Sequence, residues 1–212
     1  MAEKILIIGP SGSGKSTSTQ YLDEKEVFYI NTIGKPLPFE GWKGRYKQYN
    51  KETKEGNLYA SHNWETVIKL LTHISDFLPE KKIVIIDDAQ YIMSYEFMER
   101  AEEKGWDKFT EIGKHMFDVL ISPDNLRDDL SVIFMSHSVD DTSDGLTKTK
   151  MKTIGKMLDE KITIEGLFSI VLLSVAYKNE TTGAIEYVFV TKTNGNNVVK
   201  TPAGMFKDKL IP

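Results

Sequence analysis

Lys4-Ile5-Leu6-Ile7-Ile8 runs directly into Gly9-Pro10-Ser11-Gly12-Ser13-Gly14-Lys15-Ser16. The aliphatic run has the continuous apolar character of a strand buried on both faces. The eight residues after it follow G-x-x-x-x-G-K-[ST], in the strand–loop–helix setting that a phosphate-binding P-loop requires. Its glycines let backbone N–H groups converge on phosphate oxygens, and the helix that follows adds the positive end of its dipole. Gly9, Pro10, Ser11, Gly12, Ser13, Gly14, Lys15, Ser16 and Thr17 are therefore the candidate nucleotide-binding residues. Lys15 is placed to bridge the β- and γ-phosphates, and the Ser16 hydroxyl to meet Mg²⁺. The expected ligands are ATP and Mg²⁺. A chance glycine-serine turn would leave both the preceding strand and the Lys-Ser pair unexplained.

Working outward, apolar runs alternate with helical patterns, the signature of a mostly parallel sheet with helices on its faces. A helix is expected from about Lys15 to Asp23, and a second strand over Val27–Ile30, ending at Asn31-Thr32. Trp64, Val67, Ile68, Leu71, Ile74 and Leu78 recur at helical spacing behind Asn63, a suitable N-cap. Strands are expected over Ile83–Ile86 and Val132–Met135, with an amphipathic helix between them carrying Phe109, Ile112, Met116 and Leu120. A short helix near Ile154–Asp159 follows. Strands near Ser169–Tyr177 and Glu186–Thr191 then form an antiparallel hairpin around Thr181-Thr182-Gly183. The expected fold class is α/β, a mostly parallel central sheet flanked by helices with a C-terminal antiparallel hairpin. A single domain over residues 1–212 is expected, since no repeat or linker interrupts the pattern.

Composition narrows the classes. The chain has 212 residues, no cysteine and a formal net charge of −4. Disulfides and cysteine-based zinc sites are excluded. His62, His73, His115 and His137 lack metal-ligand spacing. The charge argues against bulk electrostatic attraction to nucleic acid, so any polyanion site must be a local patch. The longest apolar run, Ile170 to Tyr177, is too short to span a bilayer. A strand that begins at Lys4 leaves no room for a signal peptide. No membrane partner and a cytoplasmic location are expected.

The strand Ile83–Ile86 ends in Asp87-Asp88, the Walker B pattern of an aliphatic strand lifting a carboxylate beside the P-loop. Asp87 is the second candidate Mg²⁺ residue, with Ser16. Asp88 stands where many P-loop ATPases place a glutamate that orients the attacking water. It is either the catalytic base, one methylene short, or a loop-start carboxylate supporting Asp87. The next strand ends in Ser136-His137. His137 either senses the γ-phosphate or is a surface residue at a strand end. Lys15, Asp87, Asp88 and His137 form the candidate catalytic set.

With these residues in view, the chain resembles the RecA-like P-loop ATPases encoded by bacteriophages, including the short RecA-core single-strand-annealing recombinases. The likeness spans nearly the whole length. It rests on Gly9–Ser16, Asn31-Thr32, Lys35-Pro36-Leu37-Pro38-Phe39, Ile85-Ile86-Asp87-Asp88 and Met135-Ser136-His137. Lys152-Thr153-Ile154-Gly155-Lys156, Lys200-Thr201-Pro202 and Gly204-Met205-Phe206 extend it. The resemblance implies a RecA-like fold, ATP hydrolysis, assembly into a ring or filament, and action on single-stranded DNA within a bacterial host's cytoplasm. A single-strand-binding protein or a helicase is the partner it suggests. It also implies that lysines after His137 reach a neighbour's nucleotide site. The chain departs from the pattern at Asn31-Thr32, because RecA carries its catalytic glutamate just beyond that strand. Either Asp88 does that work, or hydrolysis is slow and ATP mainly drives assembly.

Two segments are candidate contact surfaces. Val139 to Gly145 reads as acidic and flexible, while Leu146 to Lys156 carries Lys148, Lys150, Lys152 and Lys156 without an acid. Lys150, Lys152 and Lys156 are candidates for trans contacts to a nucleotide or for DNA phosphates, or they form a solvated face. The stretch Ile33–Ala60 interleaves Lys35, Lys43, Arg45 and other cations with Phe39, Trp42, Tyr46 and Tyr49. That mixture suits phosphate contact with base stacking. Alternatively, the aromatics anchor the loop to the core.

Three function classes follow. The first is an ATP-dependent recombination protein on single-stranded DNA. The second is a nucleotide-gated assembly or helicase-loading factor with little turnover. The third is a small-molecule kinase, which Arg45, Arg100 and Arg127 serve poorly because they form no lid cluster.

Overall fold

The structure is a computed structural model and describes residues 1–143, 146–154, 158 and 161–212. In chain order its main elements are β1 (Glu3–Gly9), α1 (Lys15–Ser18), β2 (Val27–Asn31), α2 (Trp42–Arg45), β3 (Leu58–Ala60), α3 (Trp64–Phe77), β4 (Ile83–Asp87), α4 (Gln90–Glu99), α5 (Asp107–Ile121), β5 (Ser131–Ser143), β6 (Leu146–Met151), β7 (Ile170–Lys178), β8 (Ile185–Val190) and β9 (Leu210–Ile211).

The sheet runs in the order β3-β2-β4-β5-β1-β7-β8-β9, with β6 paired to β5 and bridged at Thr149 to Asn197. From β3 to β7 every pairing is parallel, whereas β7–β8 and β8–β9 are antiparallel. β5 is inserted between the P-loop strand β1 and the acid-tipped strand β4. That order, with all carboxyl ends on one edge, is the RecA-like P-loop arrangement. The C-terminal hairpin turns where the sequence places it, with Gly183 at φ 74° and the Asn179 side chain accepting from Thr181 and Thr182 amides.

Period-2 alternation sorts the strands into two cores. Leu6, Ile8, Phe28, Ile30, Val84, Ile86 and Phe134 face α3, α4 and α5. The helix α3 opens as its N-cap predicts, with Asn63 Oδ1 accepting from Thr66 N at 2.9 Å. On the other face, Ile7, Val27, Tyr29, Ile85, Met135 and Leu172 pack against Leu37, Phe39 and Tyr46. The segment after β2 thus covers a sheet face that no long helix among the described residues covers. Phe39 and Tyr46 are buried for that reason, while Tyr49 is buried in the opposite core against Phe28 and His73. The aromatics of Ile33–Ala60 therefore anchor the segment rather than forming an exposed stacking platform.

Other expectations shift. The P-loop helix is shorter than expected: α1 ends at Ser18 and a 3₁₀ turn over Thr19–Tyr21 replaces its second half. Of the expected flexible segment Val139 to Gly145, the residues up to Ser143 form strand, and residues 144 and 145 lie outside the described residues. β5 continues to Ser143 and returns as β6, pairing Ser138 with Met151 through Ser143 with Leu146. The short helix near Ile154–Asp159 lies largely outside the described residues. Among the described residues, no helix is long and apolar enough to cross a membrane.

Candidate functional site

The carboxyl ends of β1 and β4 and the middle of β5, at His137, converge on one cleft. Gly9 closes β1 with its Cα against β7, and a Cβ there would lie 2.4 Å from the Ser174 carbonyl oxygen and 2.7 Å from Ser13 Oγ. Only glycine fits that approach. Ser174 Oγ donates to Ser13 O at 2.7 Å, tying the loop to the neighbouring strand. Gly12 and Gly14 hold the left-handed conformation, at φ 77° and 97°. Lys15 curls back over this loop and donates to Gly9 O and Pro10 O, each at 2.8 Å. Burial lowers its pKa, against the opposing charges of Asp88 and Asp87.

Ser16 Oγ donates to Asp87 Oδ1 at 2.9 Å, bringing the two candidate metal residues together from β4 and the start of α1. A second buried donor completes Asp87: Tyr29 OH reaches Oδ2 at 2.6 Å. Burial raises the Asp87 pKa and the Asp88 charge adds to it, whereas the Tyr29 and Ser16 hydrogen bonds lower it. Tyr29 itself is pushed well up, chiefly by burial. A buried carboxylate beside a hydroxyl is a hard-oxygen donor pair suited to Mg²⁺, which commonly takes one or two protein ligands and fills the rest with water and phosphate. No group of three or more His, Asp or Glu side chains placed to hold a metal exists among the described residues.

Asp88 breaks the strand. Its φ of 59° puts a non-glycine residue in the left-handed region, a strained conformation that clusters at functional sites. Thr32 fixes the bend by donating from Oγ1 to the carbonyls of Asp87 and Asp88, at 2.8 and 2.9 Å. The turn sends the buried Asp88 carboxylate into the cleft, where Oδ2 accepts from Lys35 Nζ and Oδ1 lies 3.2 Å from His137 Nε2. Burial lowers the His137 pKa, partly offset by Asp88. Burial also acts to lower Lys35, but Asp88 and Asp87 outweigh it and the net shift is upward. Gln90, at the start of α4, accepts from Ser136 Oγ and His137 N, both at 3.1 Å, and so holds the end of the β5 core.

Two cavities flank the P-loop. One of about 310 Å³ is lined by Ser11 through Thr17 together with Lys35, Pro36, Asp88 and His137. The other, about 410 Å³, lies between Gly12–Gly14, Thr17 and Tyr21 on one side and Tyr187, Phe189 and Pro212 on the other. The first has the cations and carboxylates of a phosphate site, the second the exposed aromatic faces of a base site. Tyr187 abuts Gly14.

The remaining candidates are dispersed. Arg45 is bound to Glu24 and to the carbonyls of Gln20 and Leu22. Lys43 is exposed over the Trp42 ring. Lys150 pairs with Asp141 across the β5–β6 ribbon at 2.9 Å. The exposed Lys152 gives its amide to His137 O at 2.8 Å and borders a small cavity with Gln90 and Tyr91. Lys156 lies outside the described residues. Sequence reasoning placed Lys35 among surface cations and overlooked Tyr29, Gln90, Ser174 and Tyr187. Lys35 had a signal: it follows the carboxyl end of β2, on the edge where open α/β sheets bind ligands.

Comparison with known proteins adds the following. No curated protein matches the chain. Among solved structures, a KaiC-like protein from Pyrococcus horikoshii OT3 is similar over 89% of this chain and 77% of its own, at 14% identity and a TM-score of 0.48. The flagellar accessory protein FlaH from Methanocaldococcus jannaschii is similar over 98% and 83%, at 15% identity and a TM-score of 0.49. The sequence profile of the AAA domain family matches residues 2–138, from β1 through His137 and so the whole P-loop and Walker B apparatus. The chain belongs to the AAA domain family.

Proposed function

We propose that the protein is a Mg²⁺-dependent ATPase that couples hydrolysis to single-stranded DNA, as a bacteriophage RecA-like recombination protein working in the host cytoplasm. The observation that carries the ATPase part is the Ser16–Asp87 contact, with Asp88 and His137 turned into the same cleft. The P-loop amides and Lys15 bind the phosphates, and Tyr187 and Tyr21 flank the base. Ser16 and Asp87 are the residues that would hold Mg²⁺, and the ion would supply charge screening on the phosphate oxygens. Asp88 takes one proton from the attacking water as the water oxygen bonds the γ-phosphorus. The bond to the β-phosphate oxygen breaks with its electron pair left on ADP, and the proton on Asp88 passes to solvent. His137 fixes the geometry around Asp88.

The DNA part rests on the resemblance and on β5. The strand that carries His137 continues without a break into the β5–β6 ribbon, which bears Lys148 and Lys150 and ends beside Lys152. Events at the γ-phosphate thus have a direct route to an exposed, lysine-bearing arm. Subunits assemble as a ring or filament, with a single-strand-binding protein or helicase as a further partner.

A second reading, a nucleotide-gated assembly factor with little turnover, is favoured by one observation. Both Asp88 oxygens are engaged, by Lys35 and by His137. Steady-state ATP hydrolysis with and without single-stranded DNA, with Lys15→Ala as blank, separates the two. DNA-stimulated turnover absent in the variant supports the first reading. Slow turnover indifferent to DNA supports the second.

A further inference from the structure

A γ-phosphate passing through its transition state needs more positive charge than a P-loop lysine alone provides, and an arginine is the usual second source. This chain's own arginines are committed elsewhere. Arg45 holds Glu24 and two carbonyls. Arg100 is gripped by Glu96, Glu103 and Glu111. Arg127 binds the carbonyls of Ile74, Ser75 and Lys81. Among the described residues, the lysines that line the phosphate-side cavity are Lys15 and Lys35.

The backbone around Lys35 is built to a fixed position. Asn31, at the tip of β2, donates from Nδ2 to the Lys35 carbonyl at 2.6 Å, and its Oδ1 accepts from Gly34 N at 2.9 Å. Gly34 takes φ 76°, and prolines follow at positions 36 and 38. The side chain above this anchored base is 44% exposed, whereas the Asp88 side chain it touches is 4% exposed. A long, flexible stem on a rigid mount can therefore move its ammonium without disturbing the fold.

We propose that Lys35 is a second γ-phosphate cation supplied in cis, which leaves Asp88 for the terminal phosphate when a triphosphate binds. The inference rests on the ATPase reading above. With a diphosphate, Lys35 stays on Asp88 and occupies the carboxylate that should receive the water proton. With a triphosphate, the doubly charged terminal group outcompetes one carboxylate, Lys35 transfers, and Asp88 is freed for water while still oriented by His137. One side chain thereby both discriminates ATP from ADP and unmasks the base.

Equilibrium binding of fluorescent ADP and of a fluorescent, non-hydrolysable ATP analogue, each with Mg²⁺, tests this on the full chain. Lys35→Ala is expected to weaken the analogue roughly tenfold to a hundredfold, the worth of a charge-assisted hydrogen bond, and to leave ADP nearly unchanged. Lys35→Arg should restore part of the difference. Asp88→Asn, which removes the competitor, should strengthen the analogue several-fold in the presence of Lys35 and not in a Lys35→Ala background. Equal weakening of both nucleotides, no change in either, or an Asp88→Asn effect indifferent to Lys35 overturns the proposal. Lys35→Gln serves if the alanine variant does not fold. Nucleotide binding that depends on Lys15 but not on Lys35 overturns this inference alone. No Lys15-dependent binding overturns the ATPase reading with it.

Discussion

Tyr29 and Asp87 meet across the paired strands β2 and β4: the phenol donates to Asp87 Oδ2 at 2.6 Å, and both side chains are buried. The core thus supplies the hydrogen bond that solvent would otherwise supply. Asp87 stays oriented toward Ser16 instead of rotating.

Tyr29→Phe should therefore act on the metal before it acts on anything else. The Mg²⁺ concentration giving half-maximal ATP turnover is expected to rise several-fold. Stability should fall by about 1–3 kcal/mol, the cost of leaving a buried acceptor without its donor. A Mg²⁺ titration of activity and a urea unfolding curve check both. An unchanged Mg²⁺ midpoint would reduce Tyr29 to a packing residue.

Tyr187→Ala separates base from phosphate. The aromatic face opposite Tyr21 is lost, so ATP should bind about tenfold more weakly, in line with about 1–3 kcal/mol for stacking a base on an aromatic ring. Inorganic tripolyphosphate should bind as before. Competition titrations with the two ligands provide the comparison.

Gly9→Ala places a methyl 2.4 Å from a backbone oxygen of β7, which cannot move without disturbing the sheet. A loss of about 1–3 kcal/mol is expected from overpacking, together with weakened nucleotide binding as the loop is displaced. Gly44→Ala, where a Cβ meets nothing within 4 Å, is the control.

Acid sensitivity has a source remote from the cleft. His73 accepts from or donates to Tyr49 OH at 2.8 Å, and burial, Lys51 and Lys54 lower its pKa below the ordinary 6.5. The unfolded chain therefore protonates this histidine first as the pH falls. The stabilisation is complete above 6.5 and is lost progressively down to the depressed folded value. Urea unfolding should show the wild type losing more stability than His73→Gln between about pH 7.5 and about pH 5.5. Parallel curves would contradict the assignment.

The P-loop and the Asp87 strand were legible because each is an aliphatic run ended by an obligatory chemical group, and backbone geometry leaves little choice of where that group points. Tyr29 was not legible. All five residues of β2 are buried, so no polar partner marks the face on which the phenol lies. For Ile33–Ala60, a composition that mixes cations with rings leaves a contact surface and a core anchor equally open. The deciding fact, a sheet face against which Leu37, Phe39 and Tyr46 pack, belongs to the tertiary arrangement.

The ribbon was misread for a different reason. Asp140, Asp141, Lys148 and Lys150 look like opposing charge runs, but Thr147, Thr149 and Met151 alternate with the lysines at strand spacing. Antiparallel pairing then sets Asp141 against Lys148 and Val139 against Lys150. Charge drew attention from a period-2 pattern that was present.

The division of β5 at His137 carries a mechanical consequence. Up to that residue the strand is clamped in parallel by β1, and beyond it, among the described residues, its ladder partner is β6. A pull along the ribbon loads the inner ladder in shear, so its bonds resist together instead of unzipping in turn. His137 sits where the two ladders meet, so such a load enters the cleft beside Asp88.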